Sequence, residues 1–250
     1  MSDYRKLTRL AATMSAIFLL TGCASVWHPK TPEDPYESYN RQIFVFNRGV
    51  DAYVFRPIAK TYDTVTPKVV QNRVTNFFQN VDTISVIAND ILQANANWAI
   101  SDSWRLLINT TVGLVGLWDP ATNLGLPVHQ QDLGLTFAKW GMRDSPYFIF
   151  PFLPPATARD FLGLTLDHTA FSPWTYLRSD RLGFAIRGFD LIETRAQLLG
   201  MDKLVDQAFD PYIFVRNFYM QNRQAKINKV LQLDSQSLET RLDNPTSQAQ

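Results

Sequence analysis

The strongest periodic signal in the chain is Val74, Phe77, Phe78, Val81, Ile84, Ala88, Ile91 and Leu92, apolar at spacings of three and four. That spacing puts them on one face of a helix. Residues 105–116 predict a second helix, ended by the break at Trp118-Asp119-Pro120. Residues 181–199 and 211–233 predict two more, with Gly200 after Leu198-Leu199 as a helix stop. Prolines at Pro57, Pro67, Pro120, Pro127, Pro146, Pro151, Pro154, Pro155, Pro173 and Pro211 cut the chain into short pieces. Each removes an amide donor and restricts the residue before it. Alternating runs typical of strands are few, so the pattern predicts an all-α fold.

Two stretches are odd for a helical protein in water. Leu106 to Trp118 carries no charge, and its Thr110, Gly113 and Gly116 recur every third residue, which permits close backbone approach. Ser145 to Pro155 is also uncharged and heavily aromatic. Neither forms an apolar run long enough to span a bilayer alone. Both suit either a buried core or a surface that meets lipid.

The N-terminus reads as an address. Arg5, Lys6 and Arg9 precede an apolar run from Leu10 to Leu20, the anatomy of an export signal. Leu20-Thr21-Gly22-Cys23 follows and is similar to a bacterial lipobox, whose cysteine takes a diacylglyceryl group and becomes the mature N-terminus. Buried acyl chains, each CH₂ contributing about 0.8 kcal/mol, make a stable anchor. The resulting expectation is a signal peptide over 1–22, a lipidated tether over 23–35 and a folded domain over 36–233. Residues 234–250, rich in Ser, Gln, Thr and Asn, are expected to form a polar, disordered tail. Ala24 after the cysteine implies, by resemblance to enterobacterial lipoproteins, export to the outer membrane.

Composition narrows the function. Charged residues are 19% of 250, hydrophobic residues 46%, and the formal net charge is +1. Nucleic-acid binding by bulk charge is excluded, because phosphate recognition needs a basic face. One cysteine rules out an internal disulfide framework, and three histidines (His28, His129, His168) make a His-rich metal site unexpected. No G-x-S-x-G elbow, H-E-x-x-H pair or Walker lysine is present. Asp132, Asp144, Asp160 and Asp167 are available for acid–base work, but helix capping and salt bridging explain such residues better. Arg159-Asp160 is expected to start a helix after Pro154-Pro155, its pair solvated or bridging locally, and His168 reads as a satisfied core or surface residue.

An ordered set of motifs then carries a resemblance. Asp34-Pro35-Tyr36-Glu37-Ser38-Tyr39-Asn40-Arg41 is followed by Phe44-Val45-Phe46-Asn47, Asp51 and Arg56-Pro57-Ile58-Ala59. Asn76-Phe77-Phe78-Gln79-Asn80, Arg105 with Asn109-Thr110-Thr111-Val112-Gly113, and Leu133-Gly134-Leu135-Thr136 come next. Trp140-Gly141, Pro146-Tyr147, Arg159-Asp160, Glu193 to Leu199 and Asp210 to Arg216 complete it. Behind a lipobox, this set resembles the VacJ/MlaA outer-membrane lipoproteins of Gram-negative bacteria. Arg143 and Ser145 depart from it, standing where the family commonly has glycine, and conformational freedom there is lower.

The resemblance implies a ring of short kinked helices in one leaflet of the outer membrane, around an amphipathic channel. It implies removal of mislocalised phospholipid from the outer leaflet and delivery to a periplasmic carrier that feeds an inner-membrane ABC transporter. A trimeric porin is the implied outer-membrane partner. No cofactor is implied beyond the covalent lipid on Cys23, no metal, and no catalytic residue. Asn40, Phe44, Phe46 and Asn47 are the candidate channel or hinge residues. Gly141, Arg143, Asp144, Ser145, Pro146 and Tyr147 are the candidate gate loop, with Phe148 to Leu153 expected to face lipid. Two alternatives stay open on sequence: a lipoprotein phospholipase or acyltransferase, and a porin-binding structural adaptor.

Overall fold

The computed structural model describes residues 34–176 and 180–243. The signal peptide, Cys23 and the tether up to residue 33 lie outside the described residues. Helix α1 (Glu37–Val50) passes through a π-helical turn (Asp51–Phe55) into α2 (Arg56–Val65). Pro57 has no N–H for the carbonyl four residues back, and the ladder widens to π spacing just before it. Helices α3 (Lys68–Leu92) and α4 (Ala96–Thr111) form a hairpin. Short α5 (Pro120–Asn123) and α6 (Leu133–Lys139) follow, capped by side chains of Asp119 and Asp132. Thr157 caps α7 (Ala158–Leu166), which runs into a π turn (Asp167–Phe171) and a 3₁₀ turn (Pro173–Tyr176). The chain ends with α8 (Asp180–Gln197), a 3₁₀ turn (Leu198–Met201), α9 (Asp202–Gln207) and α10 (Pro211–Asp243).

The fold is mostly helical, with one departure from all-α. Strands β1 (Tyr147–Phe148) and β2 (Ala156–Thr157) pair antiparallel, Tyr147 opposite Thr157 and Phe148 opposite Ala156. The prolines between them, Pro151, Pro154 and Pro155, forbid a helix and return the chain on itself.

Three boundaries differ from expectation. The second helix runs over Ala96–Thr111, not 105–116. It ends where Leu114, Val115 and Gly116 all take positive φ. The small residues there do serve close approach. A Cβ on Gly116 would lie 2.5 Å from the Cβ of Asn80 on α3, and Thr110 Oγ1 accepts a hydrogen bond from Asn80 Nδ2 at 3.0 Å. Helix α10 continues to Asp243, through the first ten residues expected to be a disordered tail. Gln, Leu, Glu and Arg are good helix formers whatever their polarity, and Pro245 disfavours the helical region for Asn244. Gly200 has no left-handed conformation; it lies inside the 3₁₀ turn instead of capping α8.

The apolar core is small. One cluster joins Ile43, Tyr147, Ile149 and Tyr212, with Tyr39, Phe44 and Tyr219 packed against it. The other joins Leu135, Ala138, Ile227 and Val230. Arginines on the outer helices tie the layers together: Arg195 pairs with Asp51 and Asp202, and Arg56 with Asp202 and Asp206.

Candidate functional site: a polar cavity behind an apolar exterior

Helix α4 is turned inside out. Ile100, Trp104 and Leu107 stand at i, i+4 and i+7 and are 59%, 54% and 51% exposed. Asp102, Arg105 and Asn109, on the opposite face, are buried. In a helix of a water-soluble domain the two faces are reversed. Helix α3 shares the trait. Its apolar run located the helix correctly, yet Ile84, Ile91 and Leu92 are exposed while Asn80, Asn89 and Asp90 are buried. The uncharged Leu106–Trp118 stretch is therefore no buried core: Val112, Leu114, Val115, Leu117 and Trp118 are all exposed.

The polar faces surround a cavity of about 330 Å³, lined by α3, α4, α8, the 128–132 segment, the turns after α7 and Lys226 of α10. Its walls are braced. Arg105 donates to Asp119 Oδ2 at 3.0 Å and to Thr122 Oγ1 at 3.1 Å, and Asn109 donates to Asp119 Oδ1 at 2.9 Å. Burial pushes the Asp119 carboxyl up, but hydrogen bonds from Thr122, Asn109 and Arg105 outweigh it and hold the carboxyl below its ordinary range. Asp167 accepts from Leu133 N at 2.8 Å, Asn89 Nδ2 at 2.9 Å and Ser85 Oγ at 2.9 Å. Burial still raises its pKa.

His129 forms a buried triad with two carboxylates. Its Nδ1 is 3.0 Å from Asp102 Oδ2 and 3.5 Å from Asp90 Oδ2, and Trp98 stacks on the ring at 4.1 Å. Burial lowers the His129 pKa, but hydrogen bonds to Asp102 and Asp90 dominate and push it up to about 9. The three ligand atoms lie within 4.8 Å of one another, close enough to hold a cation. The imidazolium already supplies the positive charge a metal would bring. This triad escaped sequence reasoning, because Asp90, Asp102 and His129 share no local motif. The one available signal is acidic residues set among apolar ones on the α3–α4 hairpin. Asp82, an exposed residue, and half-buried Asp190 also line the cavity, and loss of solvation there pushes each carboxyl up to about 6.

The candidate hinge and gate residues fall together at a second place. Asn40 is fully buried; its Nδ2 donates to Asp34 Oδ1 at 2.9 Å and Tyr147 O at 3.1 Å, and its Oδ1 accepts from Ile149 N at 3.0 Å. Asn47 Nδ2 donates to Phe150 O at 2.9 Å, and its Oδ1 accepts from Phe152 N at 2.8 Å. Phe44 packs edge-on against Tyr212, and Phe46 against Phe152. Gly141, with φ of 110°, caps α6: its amide and that of Met142 return to Ala138 O and Phe137 O. Arg143, Asp144 and Pro146 are exposed, and Tyr147 is fully buried. Arg159 holds this loop from beneath, donating to Met142 O at 3.1 Å and Arg143 O at 3.0 Å, while Ser145 Oγ accepts from Arg159 N at 2.8 Å.

One expectation is corrected here. The Phe148–Leu153 segment is not uniformly outward. Strand alternation turns Ile149 into the core, Phe148 stacks on Tyr39 and Phe150 on Phe161, leaving only Phe152 and Leu153 exposed. Arg159 starts a helix and bridges Asp160 locally, one of the two arrangements expected of the pair, and it does so at 2% exposure. Its side chain is needed under the loop. Three of the four candidate aspartates have structural work: Asp132 caps α6 and pairs with Arg223, Asp160 accepts from Arg159, Arg223 and Tyr219, and Asp167 binds as above. Asp144 lies exposed in the loop. His168 lines the cavity, its pKa lowered by burial.

With this geometry in hand, the likenesses to known proteins are extensive. A family model described as MlaA lipoprotein matches residues 32–226. An uncharacterized Rickettsia conorii protein is 34% identical over 207 residues, 82% of this chain and 80% of the relative. The intermembrane phospholipid transport system lipoprotein MlaA of Escherichia coli K12 is 33% identical, with 85% and 86% covered. Its counterpart in Haemophilus influenzae is 31% identical, with 88% and 90% covered. A solved structure bearing on the maintenance of bacterial outer membrane lipid asymmetry superimposes with a TM-score of 0.68 at 30% identity. It covers 78% of this chain and 98% of its own.

Proposed function

The chain belongs to the MlaA lipoprotein family, and on that premise we propose that it is an outer-membrane lipoprotein that takes mislocalised phospholipid through its polar cavity. The observation that carries this reading is the inverted α4, with Ile100, Trp104 and Leu107 outside and Asp102, Arg105 and Asn109 inside. An apolar exterior is stable against acyl chains, and a polar interior solvates a headgroup that a bilayer core repels. No described helix is long and apolar enough to cross a membrane. Immersion in one leaflet, with short helices closed into a ring about the cavity, reconciles that with the exposed apolar surface.

Cys23 carries the anchoring lipid. The lipid path runs from the outer leaflet, through the cavity, to a periplasmic carrier that feeds an inner-membrane ABC transporter. A trimeric porin holds the ring in place. No covalent bond changes along this path, and flux follows the difference in affinity between successive sites. The Asn40 and Asn47 clamps and the Gly141–Tyr147 loop control entry, because they fix the one aromatic segment that spans α1 and the strand pair.

The test is the outer-leaflet phospholipid of whole cells lacking the gene, read by surface labelling of amine headgroups. A rise reversed by the wild-type chain and not by Cys23→Ala is expected. No rise, with an intact permeability barrier, overturns the reading.

A further inference from the structure

Two carboxylates of the cavity have no pairing partner among the described residues. Asp82 of α3 and Asp190 of α8 both line it. Among the described residues neither has a hydrogen bond or an ion pair; Asp82 faces the charge of Asp190, and Asp190 that of Glu193. Glu193 is itself satisfied, by Thr75 Oγ1 at 2.5 Å and Gln197 Nε2 at 2.6 Å. Elsewhere the fold pairs its aspartates freely: Asp51, Asp119, Asp132, Asp160, Asp202 and Asp206 each meet an arginine. Two like charges lining one cavity repel each other, exposed Asp82 being less shielded from water than half-buried Asp190, and that repulsion costs free energy.

A third acceptor lines the same cavity. Asn80 is 6% exposed, spends its Nδ2 on Thr110, and leaves its Oδ1 with no partner. Acceptors without donors match a cation rich in N–H groups, and a primary ammonium offers three. The opposite charge is close by. Arg187 precedes Asp190 by one turn of α8, about 5 Å along the axis, and lines the same cavity. Its Nη2 donates to Thr175 Oγ1 at 2.8 Å. A guanidinium is well shaped for phosphate oxygens.

The geometry points to a headgroup subsite that selects phospholipids bearing a primary amine, with Asp82 and Asp190 taking the ammonium and Arg187 the phosphate. It rests on the reading of the cavity as a phospholipid path and adds the headgroup class to it.

The experiment offers the purified full-length lipoprotein equimolar phosphatidylethanolamine and phosphatidylglycerol of matched acyl chains in mixed vesicles. Co-purified lipid is quantified by mass spectrometry. An ethanolamine excess of about tenfold is expected, the effect of one charge-assisted hydrogen bond. Asp82→Asn with Asp190→Asn should bring the ratio to about one, and Asp190→Asn alone should lower it part way. Phosphatidylcholine, zwitterionic like phosphatidylethanolamine but with a quaternary ammonium that has no N–H donors, should be taken up less than phosphatidylethanolamine; uptake equal to phosphatidylethanolamine overturns the primary-amine assignment. A wild-type ratio of one, or a preference that survives the substitutions, overturns the subsite and leaves the phospholipid path standing. Co-purification of neither lipid overturns both.

Discussion

Asn47 lies two helical turns beyond Asn40 on α1, and the two amides grip opposite ends of one aromatic segment. Asn40 satisfies Tyr147 O and Ile149 N, and Asn47 satisfies Phe150 O and Phe152 N. Each asparagine thus completes hydrogen bonds that a two-residue strand pair is too short to make. Asn40→Ala removes the bonds to Tyr147 O, Ile149 N and Asp34 Oδ1, though Asp34 Oδ2 keeps Tyr212 and Arg216, and is expected to cost about 2–3 kcal/mol. Asn47→Ala sits closer to solvent and should cost about 1 kcal/mol, with faster amide exchange at Phe152. Denaturant unfolding and hydrogen exchange check the pair; an Asn40→Ala chain as stable as wild type contradicts the clamp.

Two glycines should respond in opposite directions. A Cβ on Gly163 of α7 would lie 2.3 Å from Gly134 N of α6, against backbone that has no room to give. Gly163→Ala is expected to lower stability by about 2–3 kcal/mol through forced separation of the helices. Gly188 of α8 has nothing within 4 Å of its Cβ position. Gly188→Ala should raise stability by about 0.5–1 kcal/mol, the helix-propensity difference. Thermal unfolding of the two variants side by side decides it.

Arg223 bridges Asp132 and Asp160 from α10, at 2.6 and 2.7 Å, with 10% of its side chain exposed. Burial raises the Asp160 pKa, but Arg159, Arg223 and Tyr219 outweigh it and depress the carboxyl overall. A depressed folded pKa contributes stability above the unfolded value, lost as pH falls through the folded one. Arg223→Met takes one of three partners from Asp160, leaving Arg159 and Tyr219, and is expected to cost about 1–2 kcal/mol near neutral pH. The gap to wild type should narrow in acid. A gap that stays constant from neutral pH to pH 3 would show that packing, and not charge, accounts for the loss.

The cavity carboxylates reverse that sign. Asp82 and Asp190 are raised to about 6, Asp82 by loss of solvation and then Asp190, Asp190 by loss of solvation and then Glu193. The folded state binds these protons more tightly than the unfolded one, so their penalty is full above about pH 6. It fades as pH falls from 6 towards the unfolded carboxylate value of about 4. Asp82→Asn with Asp190→Asn should therefore unfold at higher temperature than wild type at pH 7.5, and at nearly the same temperature at pH 4. Scanning calorimetry at the two pH values reads this directly, and a variant less stable at pH 7.5 refutes it.

The exterior stripe can be tested apart from the anchor. With Cys23→Ala removing the lipid that the proposed function puts there, Ile100→Lys, Trp104→Lys and Leu107→Lys together should abolish the remaining affinity for vesicles. Stability in detergent should change by no more than about 0.5 kcal/mol per site, since exposed positions lose no packing. Sedimentation with vesicles provides the readout. Vesicle binding that survives all three lysines moves the lipid contact elsewhere on the surface.

Helix positions were legible because spacing reports period, and period survives any choice of solvent. The direction of each helix was not. The run Val74 to Leu92 gave α3 correctly, but a hydrophobic face is assigned to the core only if water lies outside; here Ile84 and Ile91 face out. Gly116 was readable as a contact residue because only a missing Cβ tolerates Asn80 so near. Asn40 and Asn47 were singled out for their place beside Phe44 and Phe46, while their partners lay about a hundred residues away, beyond any local pattern. The triad of Asp90, Asp102 and His129 failed for the same reason. The end of α10 was misjudged because polarity stood in for propensity, which are separate quantities.

The outward stripe of Ile100, Trp104 and Leu107 has a history as well as a location. On the proposed reading its final surroundings are hydrocarbon, but an exported chain first crosses an aqueous compartment. During that transit the stripe is an adhesive surface, and its self-association competes with arrival. On that reading, delivery favours keeping the helix face shielded from water until it meets hydrocarbon. The geometry that suits this protein to its destination makes it dependent on the journey.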